Sequence, residues 1–308
     1  MKKKRVAIYY ENRLGRSDGF PVYAWNLLRE MKDIEVIHLI PNGDYSKFGK
    51  FDLHLWIDWG EDGLIKSLPY KIVFPKKFTY FASDTHLGYD YRLATAKIAE
   101  HVFVAQEEGW KKMKKDGVKN PHLLYHGVEP RAFPAEPKAA KKYDVSFVGH
   151  LVSTERIDFL EEAFKRFPNF WCGTRLSRYI KDEKLTDDCA DIFKKSKVVL
   201  NPPTKGDCNM RLWEALSTGS FLITKEVLGL NDLFENGKHL VTYKTTDEAM
   251  KKIAYYLKHD KEREKIAEAG RKLVMEKGTY KQRLDTMLMV SGILPKGTIE
   301  LDHYNLKK

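Results

Sequence analysis

The 308-residue chain is too long for one comfortable core, so two domains of roughly 150 residues each are expected. Hydrophobic residues at 43% and aromatics at 12% supply packed interiors and exclude wholesale disorder. The formal charge of +11 favours polyanions, phosphorylated small molecules or acidic membrane surfaces, although Lys-rich faces such as KKMKKD and KAAKKYD serve solubility equally well.

Short β-rich runs alternate with helical patterns from the start. KRVAIYY is a compact strand, followed by the Gly-containing loop ENRLGRSDGF and the helical PVYAWNLLREM. EVIHLI, FDLHLWID, YKIVF and TYFAS are strand-like. YDYRLATAKIAE and EEGWKKMKKDG have helical spacing, each ahead of a strand, HVFVA and HLLYH. The Pro-, Ala- and Lys-rich RAFPAEPKAAKKY has no apolar period and is expected as a linker. DVSFVGH restarts the alternation, with NFWCGT, KVVLNPP, SFLITK and HLVTYK as further strands and TERIDFLEEAFKRF and CADIFKKS as helices. From TDEAMKKIAYYLKHD onward the pattern is helical, broken near Asp260 and Gly278.

Strands interleaved with crossover helices predict an α/β protein with two Rossmann-like βαβ domains. The expected division is 1–130, a linker at 131–142, a second domain at 143–278, and a C-terminal helix and tail at 279–308. Parallel sheets bind ligands at the carboxyl ends of their strands, where helix N-termini present free N–H groups. The loops after the two first strands therefore matter most: ENRLGRSDG, and GHLVSTER beginning at Gly149.

Three stretches carry candidate chemistry. DCNMRLWEALSTG places Asp207, Arg211 and Glu214 at i, i+4 and i+7, one polar stripe on an otherwise apolar helix. Lys205 and Arg211 flank its N-terminus and suit a phosphate or diphosphate, while Glu214 suits a vicinal diol such as a ribose. The plain alternative is a wet Arg211–Glu214 pair worth only ~0.2–0.5 kcal/mol. In FASDTHLGYD, Asp84 and His86 suit acid/base work, with helix capping by Ser or Asp as the alternative. In LYHGVEPRAF, His126 is expected at a strand's carboxyl end, with an ordinary turn as the alternative.

Other chemistries lack support. No G-x-G-x-x-G follows either first strand, and no P-loop, clean Asp-x-Asp metal pair or G-x-S-x-G elbow occurs, so neither a metal nor a cofactor is expected. Cys172, Cys189 and Cys208 are widely spaced, which argues against a disulfide framework or a zinc site. The basic MKKKRVAIYYEN continues as a strand rather than a signal peptide, and no apolar run has the length to cross a bilayer. A cytoplasmic setting is expected, with peripheral membrane contact compatible with the charge.

Taken in order, SFVGHLVSTER, VVLNPP, NMRLWEALSTGSFLIT, LFENGKHLVTYKTTDEAMKKIAYYLKHDKEREKIAEAG and TYKQR resemble glycosyltransferases of the GT-B fold, and within them the spore-maturation (CgeB-like) group near glycosyltransferase family 4. FASDTHLG, HVFVAQEE and LYHGVEPRAF fit the same group. The resemblance implies two domains facing a central cleft, a last helix crossing back to the first domain, and sugar transfer from a UDP-, GDP- or TDP-sugar. By resemblance Glu214 holds the nucleotide ribose, while Arg211, Arg156 and Lys205 steady the diphosphate. The family's earlier glutamate is replaced here by Gly206, and Thr279, Tyr280 and Arg283 match a terminal T-Y-x-x-R motif. The acceptor is a glycan, a small molecule or, given the charge, a nucleic acid; a non-catalytic nucleotide-sugar-binding protein is the other alternative.

Overall fold

The computed structural model describes residues 3–10, 18–40, 45–58, 74–136, 139–151, 153–173, 184–304 and 306. The chain forms two compact units, Met1–Tyr125 with Tyr280–Lys308, and His126–Thr279.

The first unit holds one six-stranded sheet, with strands β1 (Lys4–Tyr9), β2 (Ile34–Leu39), β3 (Leu53–Ile57), β4 (Thr79–Ala82), β5 (His101–Val104) and β6 (Pro121–Leu123). Their order is β2-β1-β3-β4-β5-β6 and every pairing is parallel. Val6 to Tyr9 and Thr79 to Ala82 are buried in unbroken runs, as strands covered on both faces must be. Among the described residues the crossover helices are α1 (Phe20–Glu30), α2 (Tyr89–Ile98) and α3 (Glu107–Lys115). Pro21 sits in the first turn of α1, where its missing N–H costs nothing.

The second unit holds a five-stranded sheet of β7 (Tyr143–Val148), β8 (Phe170–Gly173), β9 (Ser196–Asn201), β10 (Leu222–Lys225) and β11 (Val241–Tyr243), ordered β11-β10-β9-β7-β8 and again parallel. Its helices are α4 (Thr154–Arg166), α5 (Lys184–Lys194), α6 (Met210–Ser217), the single turn α7 (Leu230–Leu233), α8 (Thr246–Tyr256) and α9 (Asp260–Lys277). A core of Phe147, Phe159, Leu200, Ile223, Met250 and Ile266 runs between the sheet and α4, α8 and α9.

Both sheets have a doubly wound order in which the first strand lies between the second and the third. The direction in which the chain winds across the sheet therefore reverses between β1 and β3, and between β7 and β9. Crossover connections leave these strand pairs in opposite directions, opening a crevice at their carboxyl ends where ligands of such sheets bind. This positions the candidate site in the second unit.

The expected crossing of the last helix is present. Helix α10 (Tyr280–Val290) belongs to the first unit, where Tyr280 stacks on Phe20 at 4.4 Å between ring centroids. Ser291, just beyond it, is hydrogen-bonded to Thr79 at 2.7 Å, and Arg283 is fully buried. Tyr280 and Arg283 of the T-Y-x-x-R match therefore hold the first unit's core together. Within the stretch expected as a linker, Phe133 is buried, and Ser217 Oγ donates to its carbonyl at 2.9 Å. Most of the strand expected at YKIVF and the loop at 11–17 lie outside the described residues.

Within the second unit helix α9 packs closely at Gly270, where a Cβ would lie 2.2 Å from the carbonyl oxygen of His239 and 2.8 Å from Leu216 Cδ2. Replacing a helix-interior glycine by alanine ordinarily stabilises by ~0.5–1 kcal/mol. Here overpacking against backbone reverses the sign, and Gly270→Ala is expected to destabilise the protein by about 1–3 kcal/mol, read as a lower urea midpoint at unchanged m.

Candidate functional site

The carboxyl edge of the second sheet brings three of the sequence candidates, Gly149, Arg156 and Arg211, around Phe147, on β7. The guanidinium of Arg211 lies 5.0 Å from the Phe147 ring centroid and that of Arg156 5.5 Å. Gly149 follows β7, and a Cβ there would lie 2.4 Å from Arg211 Nη2 and 3.0 Å from Phe147 Cζ. Only a residue without a side chain lets Arg211 reach this position. Burial, followed by the charge of Arg211, pushes the Arg156 pKa down to about 10, which still leaves Arg156 a cation at neutral pH.

Arg156 also ties loops together. Its Nε donates to the Pro202 carbonyl at 2.8 Å and its Nη1 to the His150 carbonyl at 2.7 Å, joining the loops that follow β9 and β7. Ser153 caps α4 by accepting from Arg156 N at 3.3 Å. Arg211 is positioned by Asn201, the fully buried last residue of β9, whose Oδ1 accepts from Arg211 Nη1 at 3.2 Å and from Asn209 Nδ2 at 3.1 Å. Asn201 Nδ2 in turn donates to Thr224 Oγ1 on β10 at 3.0 Å. Asn201 is missing from the sequence candidates. The available signal was a lone asparagine ending the apolar strand KVVLN, where a buried amide needs partners.

The polar stripe needs correction. Helix α6 starts at Met210 with Asn209 as its N-cap, so Asp207 lies in the preceding loop and not at i−4 on the helical face. The cause is local: Gly206 has φ +67°, and Asn209 N turns back to the Asp207 carbonyl at 3.0 Å. Asp207 still contributes charge, since its carboxylate acts to raise the Arg156 pKa against the two larger lowering effects. Arg211 and Glu214 share the helical face, one turn apart, and both are partly buried, as expected of residues packed at a sheet edge. Lys205 is exposed on the same loop. The side chain of Asn209 does not cap α6, and the positive dipole end of the helix lies beside Arg211.

His126 lies three residues beyond β6 rather than at its end, buried at the start of the second unit. The segment after it is held by Val128, whose N–H donates to the Gly278 carbonyl at 3.0 Å, and by Glu129, which accepts from Arg131 Nε at 2.8 Å.

Asp84 and His86 lie in the first unit, on the loop after β4, with Asp84 half-buried at φ +47° and His86 exposed. Neither Ser83 nor Asp84 caps α2. Its N-cap is Gly88 in a left-handed conformation, and Ser83 Oγ instead donates to the Asp58 carbonyl at 2.8 Å. The loop rests on a buried ion pair absent from the sequence candidates: Arg92 Nε lies 2.7 Å from Asp58 Oδ2, both side chains almost fully inaccessible. Arg92 also donates to the carbonyls of Ser83, at 2.6 Å, and Leu87. Tyr80 OH donates to Asp58 at 3.1 Å.

Residues 139–289, which contain all of the second-unit candidates except His126, match the model of the glycosyl transferase-like family. No curated protein sequence matches the chain. Among solved structures, a sucrose-phosphate synthase from Thermosynechococcus elongatus superposes with a TM-score of 0.64 at 12% identity, over 94% of this chain and 98% of that one. HepE from Anabaena in complex with UDP and glucose gives 0.61 at 11% identity, over 94% and 99%. The same protein with UDP-glucose gives 0.57 at 12%, over 94% and 100%. The fold is GT-B. Within this GT-B chain the described residues contain no helix long and apolar enough to cross a membrane.

The first unit of the GT-B fold yields a stability test. Removing one partner of a buried ion pair leaves an uncompensated charge, typically at a cost of about 3–5 kcal/mol. Asp58→Ala is expected to destabilise the protein by an amount of that order, measured by chemical denaturation. Lys77→Ala, which breaks the exposed pair with Glu100, is expected to change stability by less than about 1 kcal/mol.

Proposed function

We propose that the protein transfers a sugar from a nucleotide-diphosphate sugar to an acceptor hydroxyl, with the donor held by the second unit. The observation that carries this reading is the pair of cations gathered over Phe147 at the carboxyl edge where the winding reverses between β7 and β9. There Arg211 is locked by Asn201 over Phe147 and beside Gly149, in the first turn of α6. The family match over residues 139–289 and the UDP-bound structures of HepE support it. The CgeB-like assignment near family 4 rests on the ordered sequence pieces alone.

Departure of a nucleoside diphosphate places negative charge on the leaving phosphate and positive charge on the sugar. Arg211 and the α6 dipole oppose the first, Arg156 adds a second fixed cation, and the exposed Lys205 closes on the diphosphate from its loop. These groups are preorganised, so they need little rearrangement as charge develops, and the proposed transfer requires no metal. Glu214, one turn along the same face, accepts the two hydroxyls of the ribose. In the first unit Asp84 or His86 is proposed to orient or deprotonate the acceptor hydroxyl, on a loop that the Asp58–Arg92 pair keeps in place.

A ligand at 100 times its Kd stabilises the folded state by about 2.7 kcal/mol, and a thermal-shift screen of UDP, GDP and TDP is expected to find one that does so. Arg211→Ala and Glu214→Ala are each expected to abolish that shift at unchanged far-UV circular dichroism. Arg211→Ala is further expected to slow donor turnover by roughly 10²–10³-fold, as loss of one charge-stabilising donor does. Shifts retained in both variants would overturn the donor-site assignment.

A further inference from the structure

A second recess lies in the same unit, beyond the β7/β9 crevice, at the carboxyl ends of β9, β10 and β11. It is a pocket of about 150 Å³ whose lining includes Ser153, Arg156, Lys225, Tyr243, Lys244 and Thr245. Two helices begin at its wall: α4, capped by Ser153, and α8, capped by Thr245 through a bond from Glu248 N at 3.2 Å. Each cap occupies one N–H, and other first-turn N–H groups of both helices lack intrahelical partners. The lining side chains bring three cations and one carboxylate, Glu155, which pairs with Lys225. Lys244 Nζ stands 3.7 Å from Glu226. Both lysine pairs are partly or largely exposed, the kind of contact a better partner displaces easily.

The observation pointing to a ligand is Tyr243. Its side chain is 3% exposed, and its hydroxyl has no hydrogen-bond partner among the described residues. The ring cannot swing away, because it stacks on Phe159 at 5.1 Å with an interplanar angle of 6°. A buried hydroxyl left unmet is unfavourable, and such groups ordinarily find a partner. Burial raises the phenol's pKa, so at neutral pH the hydroxyl is protonated and donates to an anion.

We propose that this pocket is an oxyanion site that takes a phosphate group, with the Tyr243 hydroxyl donating one hydrogen bond and Arg156, Lys225 and Lys244 supplying positive charge. A recess of this volume has room for about five waters at ~30 Å³ each, enough for one phosphate with residual hydration. Cation and donor count favour a phosphate over a neutral hydroxyl compound or a metal ion. The pocket shares Arg156 with the proposed donor site but not Arg211 or Glu214, so the two assignments fail separately.

The test is calorimetric titration of inorganic phosphate into the full chain at fixed ionic strength. Saturable one-site binding is expected, weakened by roughly tenfold in Tyr243→Phe through loss of one hydrogen bond to a charged group, and weakened several-fold in Lys244→Gln. Glu214→Ala is expected to bind phosphate as the wild type does, even where its nucleotide response is lost. Repeating the titration with saturating UDP separates two sources of the phosphate. Unchanged binding assigns the pocket to a free phosphate or a phosphorylated ligand other than the donor, and competition assigns it to a phosphate of the nucleotide. Absence of saturable binding to the wild type would overturn the proposal. Wild-type affinity in folded Tyr243→Phe and Lys244→Gln proteins would also overturn it.

Discussion

The organising contact of the second unit is the close approach of the Arg211 guanidinium to the backbone at Gly149, over the face of Phe147. Three separate parts of the chain must agree for it to exist. β7 supplies the ring and is followed by a residue with no side chain, β9 ends in the Asn201 amide that receives Nη1, and α6 begins so that Arg211 falls in its first turn. A parallel sheet makes this agreement possible, because it delivers strand ends and helix starts to the same edge. The reversal of winding between β7 and β9 then leaves room there.

Charge placement follows from the same geometry. Arg156 and Arg211 flank one aromatic ring, and part of the lowering of the Arg156 pKa is their mutual repulsion in a poorly solvated place. Folding holds these like charges together with backbone carbonyls at His150 and Pro202 and with the Asn201 side chain. An anionic ligand relieves that repulsion, which gives a diphosphate an advantage over a neutral ligand of equal shape. The pocket bordered by Tyr243 extends the positive edge along β9, β10 and β11, where two capped helix starts add to it.

The first unit supports its candidate loop differently. Asp58, just after β3, and Arg92 in α2 form a buried ion pair, and further hydrogen bonds join them to Tyr80, Ser83 and Leu87. Such a pair contributes little net stability against an apolar substitute, yet it is costly to break. Its structural effect is positional: it fixes the turn that carries Asp84 in a left-handed conformation and leaves His86 at the surface.

Periodicity and punctuation made the α/β architecture legible, because strands buried on both faces read as short apolar runs and crossover helices as longer amphipathic ones. The second-unit cluster was legible in outline for the same reason: its residues follow strands, and parallel sheets collect strand ends. Local chain geometry escaped that reading. Asp207 sits at helical spacing from Arg211, but the turn at Gly206 and the start of α6 at Met210 remove it from the helix. Asn201 and the Asp58–Arg92 pair were invisible because their partners are brought together only by strand pairing and helix docking, and composition carries no trace of which polar groups will be buried. The amino-acid sequence by itself therefore determined the elements and the edge on which they would present charge. Tertiary packing alone decided which atoms meet there, since hydrogen bonds and ring contacts depend on ångström-scale placement that no local spacing encodes.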